Sequence, residues 1–428
     1  MDLNQPEEQA LHTFVETVSP LQNYQNSGSP LEWIFPASAH YLTDLSQCYL
    51  KIALKVTKAD GTKISHKTLT EGTDPWTVTD WSTDAGDESV LSTVNNFINA
   101  QFSQIQVFFN SQLVENSLHY PYLSYLSNLL SADNEVKTSL LAALSGWYPD
   151  DASQFDTATN KAFRKRINNM ILNGQTVHFK TKLDLGVFRI RQYLPNHLSI
   201  KICAYPTVPE FSLLWCKTTK PTEQYKIQFT LASMECKRIK PFPEKLKQLE
   251  SKLAKSLVSY DVVHTAIRAH NLSSNASSFS VENLYTGQIP NLLMLVFLEN
   301  DTFHGNILKN SFYLKHHDLA YCGIECGGST FPSPRGFLTD ESYKDCYMEL
   351  FRCFPHFHGI TYEDFLGGSF ILAFNLESAA QSKDAGVINA KIRFKKALTS
   401  TLTVLAVACT KTSFQIDHLR NVNTAYIP

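Results

Sequence analysis

The chain has 428 residues, enough for two hydrophobic cores, since one core stops growing near roughly 250 to 300 residues. Charged residues make up 18% and aromatics 12%, a balance that suits a protein hiding much of its outer surface in contacts. A formal net charge of −2 supplies no basic field for a nucleic-acid backbone, which argues against direct or sequence-specific DNA binding as the main activity.

The first 30 residues are rich in Gln, Asn, Ser, Pro and Glu and read as a mobile or docking arm, with order beginning at Leu31-Glu32-Trp33. The opening Met-Asp-Leu-Asn-Gln-Pro-Glu-Glu lacks the basic and apolar regions of a secretory signal, and its acidity argues against a mitochondrial leader. Leu50 to Val56 alternates as a strand, and Ala59-Asp60-Gly61 supplies hairpin turn residues. The polar stretch 62–92 reads as a long surface loop. A second insertion, 146–174, contains Trp147-Tyr148-Pro149-Asp150-Asp151 and the basic Arg164-Lys165-Arg166.

One pattern occurs twice. Ile105 to Phe109 alternates, turns at Asn110-Ser111 and runs into Tyr122, Tyr125, Leu126, Leu129 and Leu130. Leu319 to Ile324 turns at Gly327-Gly328 and, after a Pro-rich loop, reaches Tyr343, Cys346, Tyr347, Leu350 and Phe351. The later residues of both copies fall at i, i+3, i+4, i+7 and i+8, which predicts one apolar face on a short helix. Downstream, Phe179–Leu185 is echoed by Phe370–Leu376, and Leu198–Ile202 by Ile388–Ile392. Each half closes on another strand, Tyr225–Glu235 first and Leu402–Ala408 second. Between the halves, Pro243 and Glu244 mark a helix start, and Leu246, Leu249, Leu253 and Leu257 share one stripe. This predicts a linker helix that packs by its leucines. Leu292–Leu298 is a continuous apolar run, expected as a strand buried on both faces. The chain therefore reads as all-β, two tandem β-sandwiches with short helices and long loop insertions. The divisions are an arm at 1–30, a first domain at 31–241, a linker at 242–258 and a second domain at 259–428.

Nine cysteines, Cys48, Cys203, Cys216, Cys236, Cys322, Cys326, Cys346, Cys353 and Cys409, include no Cys-x-x-Cys and read as free thiols in a reducing compartment. The longest apolar runs, such as Leu402–Cys409, are far shorter than the roughly 20 residues of a membrane helix. The expectation is a chain soluble and intracellular when made, without membrane insertion. Asn271, Asn275 and Asn300 match the glycosylation pattern and read as ordinary loop residues.

Candidate chemistry is sparse. His316-His317-Asp318 contains the His-x-Asp of iron(II) oxygenases built on jelly-rolls, with His356, His358 or His418 as the distal ligand and Arg393 as the available basic clamp. The competing reading is that these residues begin the strand reaching Tyr321. Cys322, Cys326, Cys346, Cys353, His356 and His358 could be assembled into a zinc site, but their spacing is wrong for closed sites, and buried cysteine is a common core residue. Signatures of nucleophilic catalysis and phosphate-binding glycine loops are absent, so no catalytic, cofactor-binding or metal residue is assigned. Lys237-Arg238-Ile239-Lys240 reads as a solvated face. Trp76, Trp81 and Trp147, if exposed, would suit a carbohydrate-binding sandwich.

Several segments resemble a known family. Phe102-Ser103-Gln104-Ile105-Gln106-Val107-Phe108-Phe109-Asn110, followed by Tyr120-Pro121-Tyr122-Leu123-Ser124-Tyr125-Leu126, is similar to the double jelly-roll major capsid (hexon-like) proteins of the Polinton, adintovirus and adomavirus group. Related uncharacterised proteins are encoded in invertebrate genomes. Asn283–Pro290, Asn300–Asn306, His316–Leu319 and Ile416–Val422 extend the match in order over most of residues 35–425. The long inserts at 62–92 and 146–174 depart from the family pattern. The resemblance implies two tandem eight-stranded jelly-rolls joined by a short helical linker. It further implies a non-enzymatic homotrimer, shaped as a pseudo-hexagonal tile of an icosahedral virion shell around double-stranded DNA. Neighbouring capsomers and penton or minor capsid proteins would be its partners. Synthesis would be in the host cytoplasm, with the host nucleus as a place of assembly.

Overall fold

The computed structural model describes residues 10–22, 29–64, 90–151, 160–216, 220–339, 342–355, 359–380 and 385–426. Ten strands come first: β1 (Ala10–Val18), β2 (Leu31–Phe35), β3 (Leu42–Lys58), β4 (Leu91–Thr93), β5 (Phe102–Phe109), β6 (Gln112–Leu118), β7 (Val177–Thr181), β8 (Ile200–Pro206), β9 (Leu213–Trp215) and β10 (Tyr225–Pro241). After the helix Pro243–Leu253 come β11 (Val258–Leu272), β12 (Ser278–Gln288), β13 (Leu292–Glu299), β14 (Leu319–Cys326), β15 (Ser329–Phe331), β16 (Phe337–Leu338), β17 (Leu372–Asn375), β18 (Ala385–Phe394), β19 (Leu402–Ile416) and β20 (Val422–Thr424).

The first half pairs its strands in the orders β1-β10-β3-β7 and β2-β8-β5-β6; the second half uses β11-β19-β13-β17 and β12-β18-β14-β15. Set aside β16, β20 and the small β4–β9 pair, and the two lists coincide strand for strand. Each half is thus an eight-stranded jelly-roll of two four-stranded sheets, and the chain is a double jelly-roll.

The correspondence corrects the expected N-terminal arm. Residues 10–18 form β1, paired with β10 from Ala10↔Pro241 to Val18↔Met234, in the place that β11 holds in the second half. Its alternation is hard to read because it is an edge strand with both faces at least partly exposed, and His12, Thr13 and Thr17 dilute the apolar period. Residues 1–9 and 23–28 of the expected arm, and 65–89 of the expected loop, lie outside the described residues.

The repeated turns arise from one local solution. Asn110 and Ser111 have φ of 44° and 70°, and Gly327 and Gly328 have 57° and 78°. Two consecutive positive φ values make the tight hairpin turn whose twist matches that of the strands it joins. Each turn reverses the chain into a short return strand, β6 or β15. The helices Tyr120–Ser131 and Lys344–Cys353 follow at the expected places.

The linker helix is shorter than its leucine stripe suggests. Leu249 and Leu253 are buried, but Leu257 lies beyond the last turn and is 53% exposed. At Val258 the chain is already entering β11.

The two jelly-rolls share their cores. Tyr122, Tyr125, Leu126, Leu129 and Leu130 pack into the apolar cluster of the second jelly-roll, where the ring of Tyr125 stacks on Phe312 at 4.3 Å. In return Tyr260 and Phe414 join the cluster of the first, with Phe414 lying 5.7 Å from Phe109. Burying an aromatic or leucine side chain fully is worth roughly 1.5–3 kcal/mol, so this exchange makes separation of the halves costly.

Gly186 lies at a close backbone approach in the seam. A methyl group there would sit 2.4 Å from the Val263 carbonyl oxygen and 2.7 Å from Val262 Cγ2. Gly186→Ala is therefore expected to destabilise the protein by about 1–3 kcal/mol, as overpacking does. Thermal unfolding followed by tryptophan fluorescence measures this, and an unchanged midpoint would mean that the seam is open in solution.

Candidate functional site

The candidate metal residues sit at a turn. His317 and Asp318 have φ of 46° and 53°, so the chain reverses there before entering β14 at Leu319. His316 Nδ1 accepts the Asp318 N–H at 3.0 Å and lies 3.2 Å from Tyr343 Oη. Burial pushes the His317 imidazole down to about 4, and burial likewise lowers His316. Among the described residues no three His, Cys, Asp or Glu side chains converge to hold a metal ion. His356 and His358 lie outside the described residues. The arrangement accounts for His316 and Asp318 as turn residues that start a strand.

The other candidates are mostly structural. Cys322 and Cys346 are buried in the second core, and burial pushes their thiols up, Cys346 to about 12. Trp147, expected as an exposed sugar platform, is 1% exposed and stacks on Tyr125 at 5.2 Å; Trp76 and Trp81 lie outside the described residues. Asn271 is in β11 rather than a loop, and its side chain accepts from Asn300 Nδ2 at 3.2 Å. The Lys237–Lys240 segment is not a solvated face throughout. Arg238 is buried, its Nε donates to Glu16 of β1 at 2.6 Å, its Nη2 donates to the Pro36 carbonyl, and its guanidinium also bonds Thr43. Apolar alternation along β10 turns Arg238 inward, where it holds the edge strand.

The described residues of the 146–174 insertion, 146–151 and 160–174, are tied together by a buried ion pair; 152–159 lie outside the described residues. Arg166 and Asp150, with side chains 0% and 1% exposed, meet at 2.7 Å. Arg166 also donates to the carbonyls of Thr93 and Tyr148, and Asp150 accepts from Asn160 and from Asn310 of the second half. Desolvating two charges is costly, and these added hydrogen bonds offset part of that cost.

The seam between the jelly-rolls carries buried polar contacts and has a cleft beside it. His264 Nδ1 lies 3.0 Å from Glu115 Oε1, both buried, and Tyr426 stacks on the imidazole at 4.7 Å. Arg420, with φ of 65°, donates to Asn196 in the first jelly-roll and to Glu250 in the linker helix, each at 2.8 Å. One side chain thereby joins both halves and the helix between them. A half-open cleft of about 480 Å³ runs beside the seam, floored by Leu123, Leu126, Leu130, Met294 and Val407 and edged by Arg189, Arg352 and Lys411. Burial holds the Asp184 carboxyl on its wall above the ordinary range, although Arg189, Ser124 and Asn128 all donate to it. Sequence reading missed Arg420, Glu115 and His264, because no local pattern distinguishes a buried charge from a solvated one.

Comparison with known proteins supports the topology. No family model matches the chain. An uncharacterized protein of Caenorhabditis elegans is 22% identical over 344 residues, covering 79% of this chain and 76% of that protein. A chain of the Sputnik virophage has a TM-score of 0.66 at 11% identity, covering 98% of this chain and 89% of its own. The mavirus major capsid protein follows at 0.54 and 9%, covering 96% and 90%, and the Faustovirus major capsid protein at 0.55 and 8%, covering 94% and 90%. What this chain shares with those structures is the double jelly-roll fold, over nearly its whole length.

Arg420→Met should cost about 2–3 kcal/mol, the scale of lost hydrogen bonds to a charged group. The loss should also depend on pH. Burial pushes Glu250 up, but hydrogen bonds from Asn196 and Arg420 and the guanidinium charge bring it below its ordinary 4.5. A depressed carboxylate contributes stability that is present above the unfolded value and is lost as pH falls through the folded one. The difference between wild type and variant in urea unfolding should therefore shrink between about pH 5 and pH 3; a difference that grows toward acid would contradict this assignment.

Proposed function

We propose that this chain is a major capsid protein of the Polinton, adintovirus and adomavirus type, a structural protein without enzymatic activity. The observation that carries the reading is the strand-for-strand duplication, welded by a shared core into one block. A rigid pair of like jelly-rolls is the unit that lets three chains approximate six-fold packing, as a closed symmetric oligomer built from one repeated interface. In this reading the two units are 31–241, extended by β1, and 259–428. Three copies form a pseudo-hexagonal tile, and tiles pack with neighbouring capsomers and penton or minor capsid proteins into an icosahedral shell around double-stranded DNA. The chain is made in the host cytoplasm, assembles there or in the nucleus, and ends in the virion.

The low share of charged residues and the exposed Leu11, Val15, Leu338 and Val387 on strands of both halves fit surfaces meant for neighbours. The fold likeness to viral capsid proteins and the ordered sequence resemblance point the same way.

Light scattering on the purified chain should give a particle of about three times its 48.3 kDa mass, with pseudo-hexagonal outlines in electron micrographs. A monodisperse monomer over the micromolar range would overturn the proposal.

A further inference from the structure

Cys48 and Cys236 stand directly opposite each other on β3 and β10, the two central strands of the first sheet. Opposed residues of an antiparallel pair project from the same face with Cα atoms about 4.5–5.5 Å apart, inside the range that disulfides span. Both side chains turn into the core, 1% and 0% exposed. Cys236 Sγ donates to the Asp44 carbonyl at 3.5 Å, beside the facing Cys48. Among the described residues no other cysteine faces a cysteine in strand register.

The register breaks just beyond the pair. Cys236↔Cys48 is followed by Lys237↔Asp44, so Leu45, Ser46 and Gln47 form a bulge. The Asp44 carboxylate closes that bulge by accepting the Ser46 N–H at 3.0 Å and its hydroxyl at 2.6 Å. A bulge interrupts the ladder and gives local freedom beside the thiols.

We propose that Cys48 and Cys236 form a cross-strand disulfide that locks β3 to β10 when the protein passes from a reducing to an oxidising medium. With glutathione disulfide as oxidant, the Cys48 thiolate attacks its S–S bond and expels one glutathione thiolate. The Cys236 thiolate then displaces the second glutathione from the mixed disulfide. Two protein S–H bonds and one S–S bond break; one protein S–S bond and two glutathione S–H bonds form, and two electrons pass to glutathione. The facing Cys236 thiol and burial hold the Cys48 thiol well up, while Lys182 and Arg238 pull it down. The attack accordingly waits on opening at the bulge, and the same burial shields the finished bond from reductant. The bond closes residues 48–236 into one loop, so it restricts the unfolded form of most of the first jelly-roll.

The test uses the full-length protein, equilibrated with excess oxidised glutathione or with dithiothreitol, then alkylated and digested without reduction. Mass spectrometry should find the peptide containing Cys48 joined to the peptide containing Cys236, and the oxidised protein should unfold at a higher temperature than the reduced one. Cys236→Ala should show neither the linked peptide nor the temperature rise. The proposal fails if the wild-type digest shows Cys48 and Cys236 free, carrying glutathione alone, or joined to other cysteines such as Cys322 or Cys346. That result stands whether or not the variant folds, and it is independent of whether the chain builds a capsid.

Discussion

The aromatic exchange between the two jelly-rolls is the interaction on which the molecule depends. Tyr122 and Tyr125 leave the first half and pack around Phe312, while Tyr260 and Phe414 leave the second and pack near Phe109. Protein interiors are close-packed, so interlocked rings have few alternative arrangements. Two β-sandwiches joined only by an 11-residue helix would be free to swing. Joined through each other's cores, they act as one body, and the helix Tyr120–Ser131 serves as the key between them.

Buried arginines finish what the aromatics begin. Arg238 holds the edge strand β1, Arg166 holds Tyr148 and Asp150 beside β4, and Arg420 gathers the C-terminal segment, the linker helix and the loop at Asn196. A planar guanidinium with five donors can satisfy several carbonyls and a carboxylate at once, which is how such a charge is tolerated away from water. These contacts add less stability than hydrophobic packing of equal area would. Their contribution is position, because a segment tied by three directional bonds has one place to sit.

The proposed shell role asks for such a block more than for a pocket. The groups that looked chemical in the sequence are consumed by architecture: His316 and Asp318 make a turn, Cys322 and Cys346 fill a core, and Trp147 backs a tyrosine. The cleft beside the seam is apolar at its floor because it is where two sandwich faces meet. Its charged rim comes from the helix Lys344–Cys353 through Arg352, from β19 through Lys411 and from the short helical turn that ends at Arg189.

Much of this was legible in the chain itself. The alternation of Ile105–Phe109, the positive-φ residues at 110–111 and 327–328, and the helical stripes after them are local signals, set by sterics within a few residues, and the duplication follows from seeing them twice. The sequence also determined the linker helix start at Pro243 and the buried run in β13. Tertiary structure decided the rest. That residues 10–18 complete the first sheet depends on β10, more than two hundred residues later, and that Leu257 is exposed depends on where β11 begins. That Arg166, Arg238 and Arg420 are buried, that Cys48 faces Cys236, and that each half lends aromatics to the other are facts of long-range register. Hydrophobic period and turn sterics act over a few residues; burial and pairing are properties of neighbours that only the folded chain brings together.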